Sequence, residues 1–334
     1  MTDDRNRDQT DLRTIRIRGR WRTYLETRRI GRCVYYLLEP VGSPFRRRHL
    51  AFDPLQGPGG DFFLVQTWAR GPTVEQQLRV LRRLKDDSFP RVVDWNAGRT
   101  NIDVVLAWAE GVSLAEYLQH IRAGRRPAIE PGQALRLIYG LAAAVCKLHH
   151  QQQVAHGDIQ PENVIVTSHP SRFVLIDFGS AWTTDSTSFR VEGDGHHRCY
   201  AAPELQQPQT QPAGFFADQF SVSVLLYELL PRQLPYGGLG GKAGRVEFAA
   251  KSENGLHPPS QINPACAALP RSLRERLDQA VTRGLAFAPQ DRFPDRHAWL
   301  RDLSELSARF RLAPELSPVQ SALTRVIQWF ARSS

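Results

Sequence analysis

The apolar positions of this chain change their period partway along it. From Ile15 to about Ala69, short strand-like pieces (RIRGRWRTYLE, CVYYLLE, RHLAFD, DFFLVQTWA) are separated by PVGSP and PLQGPGG, which carry strong turn chemistry, so the pattern predicts an antiparallel sheet. TVEQQLRVLRRLK then places apolar residues at 74, 78, 81 and 84, a helical stripe, before two more strands, RVVDW and NIDVVLAWA. After Gly111 the signal is mostly helical: SLAEYLQHI, QALRLIYGLAAAVCKLHH, RSLRERLDQAVTRGL and HAWLRDLSELSARF, with two short strands, VIV and FVLID, among them. FFADQFSVSVLLYELL is apolar on nearly every side, as expected of a helix buried all round. The pattern predicts a small sheet-rich lobe over 15–108 and a larger helical lobe over 109–310. It is flanked by a loose polar terminus, 1–14, and an amphipathic helix within 311–334 that docks on the helical lobe, with a partner-binding or interfacial helix as the alternative.

Composition narrows the setting. The chain has 334 residues, 41% of them hydrophobic, enough for a large globular core. Cys33, Cys146, Cys199 and Cys266 are scattered without a CxxC pair, which argues against a disulfide framework or zinc site and for a reducing, cytoplasmic location. No run of 18 uncharged apolar residues spans a membrane. The net charge of +9 is concentrated early, since residues 1–50 hold 13 Arg against 6 Asp and Glu. Such a segment attracts nucleic acid or anionic lipid in some proteins, but here the arginines are spread along strands without interleaved aromatics, so no nucleic-acid partner is expected. Only four basic residues are lysine (Lys85, Lys147, Lys242 and Lys251), and none precedes position 85.

The candidate chemistry lies in HGDIQPENVIV, residues 156–166. Phosphoryl transfer asks a protein for metal ions held against phosphates, a carboxylate to position the acceptor hydroxyl, and cations to balance developing charge. Asp158 suits the carboxylate role, and Asn163, five residues on, suits a metal ligand from the same turn. Fourteen residues later VLIDFGSA sets Asp177 between an apolar strand and a glycine, placed to meet Mg²⁺.

These stretches resemble the eukaryotic-type protein kinase family, whose H-R-D-L-K-P-E-N, D-F-G and A-P-E patterns appear as HGDIQPEN, DFG (177–179) and AAPE (201–204). The resemblance runs from about 100 to 310. It implies an α+β, bilobal fold with a small antiparallel β-rich lobe and a larger α-helical one, ATP and Mg²⁺ as cofactors, and a protein substrate or regulated protein partner. It further implies that Asp218 holds the backbone of the catalytic loop, that Arg292 pairs with Glu204, and that adenine bonds backbone near Ala107 to Ala109. Each fragment alone is a common turn; five in the right order and spacing are not. Small-molecule phosphotransferases share the H-G-D, yet Glu204, Asp218 and Arg292 favour the protein kinases.

Four departures stand out. The family's phosphate-clamping lysine falls at Gln66 and its glutamate partner at Gln77, with Arg70 and Glu75 as an improvised alternative pair. The glycine loop, placed at RRIGRCVYY, retains only Gly31, and the catalytic-loop lysine is Gln160. Gly157 also replaces the arginine that docks a phosphorylated activation loop, where Thr183, Thr184, Ser186, Thr187 and Ser188 lie; His196 and His197 read as loop residues. The expectation is a pseudokinase, a binding or regulatory module with weak Mg·ATP affinity. The alternative is an active Ser/Thr kinase with a rearranged phosphate clamp, using Asp158 as base and Asn163 and Asp177 as metal ligands.

Overall fold

The structure, a computed structural model, describes residues 13–42, 47–57, 59–168, 171–183, 199–206, 214–245, 248 and 255–312. Within the first strand-like piece, Arg18 (φ 47°) and Gly19 (φ 84°) adopt left-handed backbone and fold it into a hairpin, β1 (Thr14–Ile17) and β2 (Arg20–Thr23). The piece therefore forms two strands rather than one, because an Arg-Gly pair with positive φ at both residues makes the tight turn whose twist matches paired strands. β1 and β2 form a sheet of their own, with Ile17 inward and Trp21 exposed.

Six further antiparallel strands follow: β3 (Glu26–Ile30), β4 (Cys33–Pro40), β5 (Arg48–Asp53), β6 (Asp61–Ala69), β7 (Val92–Ala97) and β8 (Asn101–Ala107), in the order β3-β4-β5-β6-β8-β7. Alternation along each strand gives the sheet two apolar faces. One gathers Ile30, Tyr35, Leu37, Ala51, Phe63, Val65 and Val105; the other presents Leu64, Trp68, Ile102, Val104 and Leu106 to Val74 and Leu78 of α1 (Pro72–Arg83). The outer strands approach each other. Arg28 on β3 bonds Thr67 Oγ1 at 2.7 Å and Asp103 Oδ1 at 3.4 Å, and a Cβ on Gly31, in the β3–β4 turn, would collide with the Asp94 carboxylate on β7.

These elements make one compact unit, residues 1–85 and 90–109; residues 86–89 and 110–334 make the other. In the second, β9 (Gly111–Ser113), β11 (Val164–Ser168) and β12 (Ser171–Leu175) form a small sheet, while β10 (Val154–Ala155) pairs with β13 (Trp182–Thr183). The helices are α2 (Leu114–Arg122), α3 (Pro131–Gln152), α4 (Phe215–Leu229), α5 (Pro259–Ile262), α6 (Pro264–Ala267), α7 (Arg271–Gly284) and α8 (Arg296–Leu312). Ser113 caps α2 by accepting from Glu116 N–H at 3.1 Å. Every residue of α4 from Ala217 onward is buried, and its serines turn their hydroxyls to backbone carbonyls, Ser221 to Tyr200 at 2.9 Å and Ser223 to Gln219 at 2.8 Å. Among the described residues no helix is long and apolar enough to cross a membrane. The expected terminal helix over 311–334 lies, beyond Leu312, outside the described residues, as do residues 1–12 and the loop positions Thr184, Ser186, Thr187, Ser188, His196 and His197.

Candidate active site

The loop from His156 to Asn163 hangs from α4. Asp218 is fully buried, and its carboxylate accepts from the backbone N–H of His156 and of Gly157, each at 2.8 Å, while His149 Nε2 of α3 lies 2.8 Å from it. Burial alone would raise the pKa of Asp218; the hydrogen bond and charge of His149, with the loop's own donors, outweigh it and hold the carboxyl below the usual range. His156 is buried too, and desolvation pushes its pKa down despite the nearby carboxylates, so the ring is neutral at neutral pH and its Nε2 faces Ile176 O at 3.1 Å. Gly157 takes φ 70°, a left-handed conformation that explains glycine where the family carries arginine.

Asp158 and Asn163 meet directly. Asn163 Nδ2 donates to both the backbone oxygen and Oδ2 of Asp158, at 2.9 Å each, and Gln160 Nε2 donates to the same Oδ2 at 3.0 Å. A neutral amide thus holds the carboxylate at the position where the family supplies an ammonium. Asp177 follows β12, whose continuation is tied to the loop by the Ile176 N–H to Asn163 O bond of 2.8 Å. Asp177 itself adopts left-handed backbone (φ 63°, ψ 77°), a conformation that costs a non-glycine residue on the order of 1 kcal/mol, and accepts from Gly179 N–H. Phe178 is buried edge-on against His156 and Phe89, with ring centroids 4.8 and 5.8 Å away, fixing the segment to the loop that begins at His156.

Farther along the second unit, Arg292 is wholly buried and bonds both carboxylate oxygens of Glu204 at 2.8 Å, with its remaining N–H groups on the carbonyls of Phe216, Ala286 and Phe287.

In the first unit Gln66 lies on the face of β6 that α1 covers, only 6% exposed, and its Oε1 accepts from Trp68 Nε1 at 3.0 Å. Gln77 sits between Val74 and Leu81 on α1 and is partly buried. The improvised pair does form, Arg70 Nε to Glu75 Oε1 at 2.9 Å, but at the exposed end of β6, four residues beyond Gln66, where Arg70 also binds Gly98 O. With β6 as the third strand, the family's glycine-loop position falls at the connection between β4 and β5, where Gly42 lies, and Gly31, expected there from RRIGRCVYY, lies one hairpin earlier. Ala107 ends β8 with its N–H already given to Arg91 O at 2.9 Å. Among the described residues Ala109 uses neither its N–H nor its C=O in a hydrogen bond. The sequence reading missed His149 and Trp68. The only sign of either was spacing: His149 in the last turn of a long helix, Trp68 two residues past Gln66 on the same strand face.

A family model described as "Protein kinase domain" matches residues 66–293, more than half of the chain. Ribosomal protein S6 kinase alpha-4 of Homo sapiens is 29% identical over 200 residues, 58% of this chain and 25% of that protein. Serine/threonine-protein kinase PrkC of Bacillus subtilis (strain 168) is 29% identical over 139 residues, 40% of this chain and 20% of that protein. The match therefore spans about a quarter or less of these relatives' own length. Among solved structures, a mutant form of the kinase domain of Mycobacterium tuberculosis PknI superposes with a TM-score of 0.54 at 20% identity, covering 82% of this chain and 95% of that one, a likeness of fold. With the ordered motifs and a match of this extent, the chain belongs to the protein kinase family and has its fold, a β-rich N-terminal lobe and a helical C-terminal lobe.

Proposed function

We propose that this protein is a pseudokinase, a protein-kinase-fold regulatory or binding module that binds Mg·ATP weakly and works through a regulated protein partner. The observation that carries the reading is Gln66: at the position where the family holds its phosphate-clamping lysine stands a buried neutral amide whose oxygen is taken by Trp68. The second amide substitution, Gln160 on Asp158, removes another positive charge. Removing a single preorganised electrostatic contact lowers rates by about 10²–10³, so either loss alone leaves little turnover, although losses within one site are not additive.

The donor set fits magnesium. Asn163 and Asp177 offer hard oxygens, and Mg²⁺ is commonly held by one or two such groups together with phosphates and water. Mg·ATP bound there would supply the transferable phosphoryl group and neutralise its charge. Asn163 would hold the metal and steady Asp158 through its amide; Asp158 would orient a substrate hydroxyl and accept its proton; the free backbone of Ala109, with the carbonyl of Ala107, would meet adenine.

The intact contact between Asp158 and Asn163 favours a second reading, an active Ser/Thr protein kinase with a rearranged clamp. One experiment separates the two: thermal shift with Mg·ATP, then phosphotransfer to a generic protein substrate by wild type and Asp158→Ala. A shift without transfer supports the pseudokinase; transfer abolished by Asp158→Ala supports the kinase and sinks the first reading.

A further inference from the structure

On the face of the second unit formed by α3 and β12 lies a cavity of about 340 Å³, apart from the residues discussed above. Its polar lining consists of Arg136, Arg172, Gln133, Ser88 and Ser171, with no carboxylate among the described residues. Arg172 is held in place by Asp87, 3.2 Å from its Nη1, yet its Nε is buried without a hydrogen-bond partner. That Nε is closed to solvent, so the exposed remainder of the guanidinium, with the side chain 38% accessible, is what an anion in the cavity would meet. Arg136 is exposed and makes no ion pair among the described residues, while the neighbouring Asp86 is engaged by Lys147 at 2.6 Å. Gln133 and Arg136 lie in the first two turns of the 22-residue α3, the end whose dipole favours anions.

Gly140 gives an independent indication. It interrupts the middle of α3, where glycine costs about 1 kcal/mol relative to alanine. Elsewhere the fold explains its helical glycines: a Cβ on Gly132 would press on Phe310, and one on Gly284 would strike Ser223. A Cβ on Gly140 would meet nothing within 4 Å, so the protein's own packing does not require a bare backbone there. The room it leaves opens into the cavity, beside the apolar walls of Leu137 and Phe173.

We propose that this cavity is a binding site for a phosphomonoester dianion, with Arg136 and Arg172 on the phosphate, the hydroxyl of Ser171 as a further donor, and the ester's organic group over Gly140, Leu137 and Phe173. Such a group comes either from a small phosphorylated metabolite or from a phosphorylated side chain, and the chemistry of recognition is the same.

The test is calorimetric titration of the full chain with phenyl phosphate and inorganic phosphate. Phenyl phosphate is expected to bind saturably and more tightly than inorganic phosphate, and to weaken below about pH 6 as the dianion is protonated. Arg136→Ala should weaken binding about tenfold or more, since charge-assisted contacts carry at least that much. Gly140→Leu should abolish binding without lowering the melting temperature, because leucine is the better helix former. Arg125→Ala, which removes an exposed charge outside the cavity, should change nothing. Titration with phosphoserine and with a phosphoserine peptide then assigns the source: tighter peptide binding indicates a protein segment, equal binding a small molecule, and either supports the site. No saturable heat from phenyl phosphate, or equal loss in Arg125→Ala and Arg136→Ala, overturns it.

Discussion

Gln66 places its side-chain carbonyl 3.0 Å from the indole nitrogen of Trp68, two residues along the same face of β6. The side-chain carbonyl is thus satisfied within its own strand. A lysine there would lose that bond and bury an ammonium with no carboxylate opposite it. Gln66→Lys alone is expected to destabilise the first unit by about 1–3 kcal/mol. Adding Gln77→Glu supplies the partner and should recover part of that loss while increasing the thermal shift given by Mg·ATP above the wild-type value. Scanning fluorimetry of the three proteins, with and without nucleotide, checks both; a double variant with no larger nucleotide shift than wild type would show that the clamp is not what the site lacks.

Arg292 is a buried cation whose charge is met by Glu204 alone among its bonded partners; the others are carbonyls. Glu204→Ala should therefore cost about 3–5 kcal/mol by leaving that charge uncompensated. Replacing both residues with apolar ones of similar size should cost less than Glu204→Ala. Urea denaturation of the single and double variants measures the difference.

Asp218 gathers three donors from two elements, so its loss acts on the catalytic loop as much as on stability. Asp218→Asn keeps the shape but removes the charge and one acceptor, and a loss of about 2–3 kcal/mol is expected. His149→Phe should cost less, since both backbone bonds survive. Hydrogen exchange at the amides of His156 and Gly157 would report the difference: fast exchange at one of the two in Asp218→Asn, retained protection at both in His149→Phe.

Stability should fall in two acid steps. His156 has its folded pKa depressed, chiefly by burial, so its contribution is complete above the unfolded value near 6.5 and declines as pH drops below it, by at most about 1.4 kcal/mol per pH unit. Asp218 is also depressed, because its hydrogen bonds outweigh desolvation, and its contribution is lost only as pH falls below about 4. Desolvation lowers the pKa of His49 in the first unit as well, so the comparison needs His49→Asn as a control. Urea midpoints at pH 7.5, 6.5 and 5.5 should be flatter in His156→Asn than in wild type; an unchanged slope would mean that this histidine is not the titrating group.

Gly157 combines φ 70° with an N–H bonded to Asp218. Restoring the family's residue by Gly157→Arg should therefore destabilise by about 1–2 kcal/mol rather than stabilise, because a side chain is strained in left-handed backbone. Thermal denaturation of Gly157→Arg beside Gly157→Ala tests this, since both should lose similar stability if the backbone is the cause.

Much of the helical unit could be read along the chain. The all-round apolar run of α4 and the order of HGDIQPEN, DFG and AAPE are read from periodicity and short motifs, and the pairing of Glu204 with Arg292 is what the family resemblance implies. The first unit was less legible. RIRGRWRTYLE carries one alternating pattern but folds as a hairpin, and the β4–β5 connection lies one hairpin beyond RRIGRCVYY, because strand periodicity counts residues within a strand and is silent on which strand is first.

The sequence by itself determined which side chains are available: a carboxylate at 158, an amide at 163, a carboxylate at 177, and no lysine before position 85. Those are facts of identity and order, and no folding can alter them. Tertiary structure alone decided which distant groups meet: His149 on Asp218, and Arg28 on Thr67 and Asp103. Hydrogen bonds and charge pairs fall off over a few ångströms, and the distances between residues far apart in sequence exist only once the chain has packed.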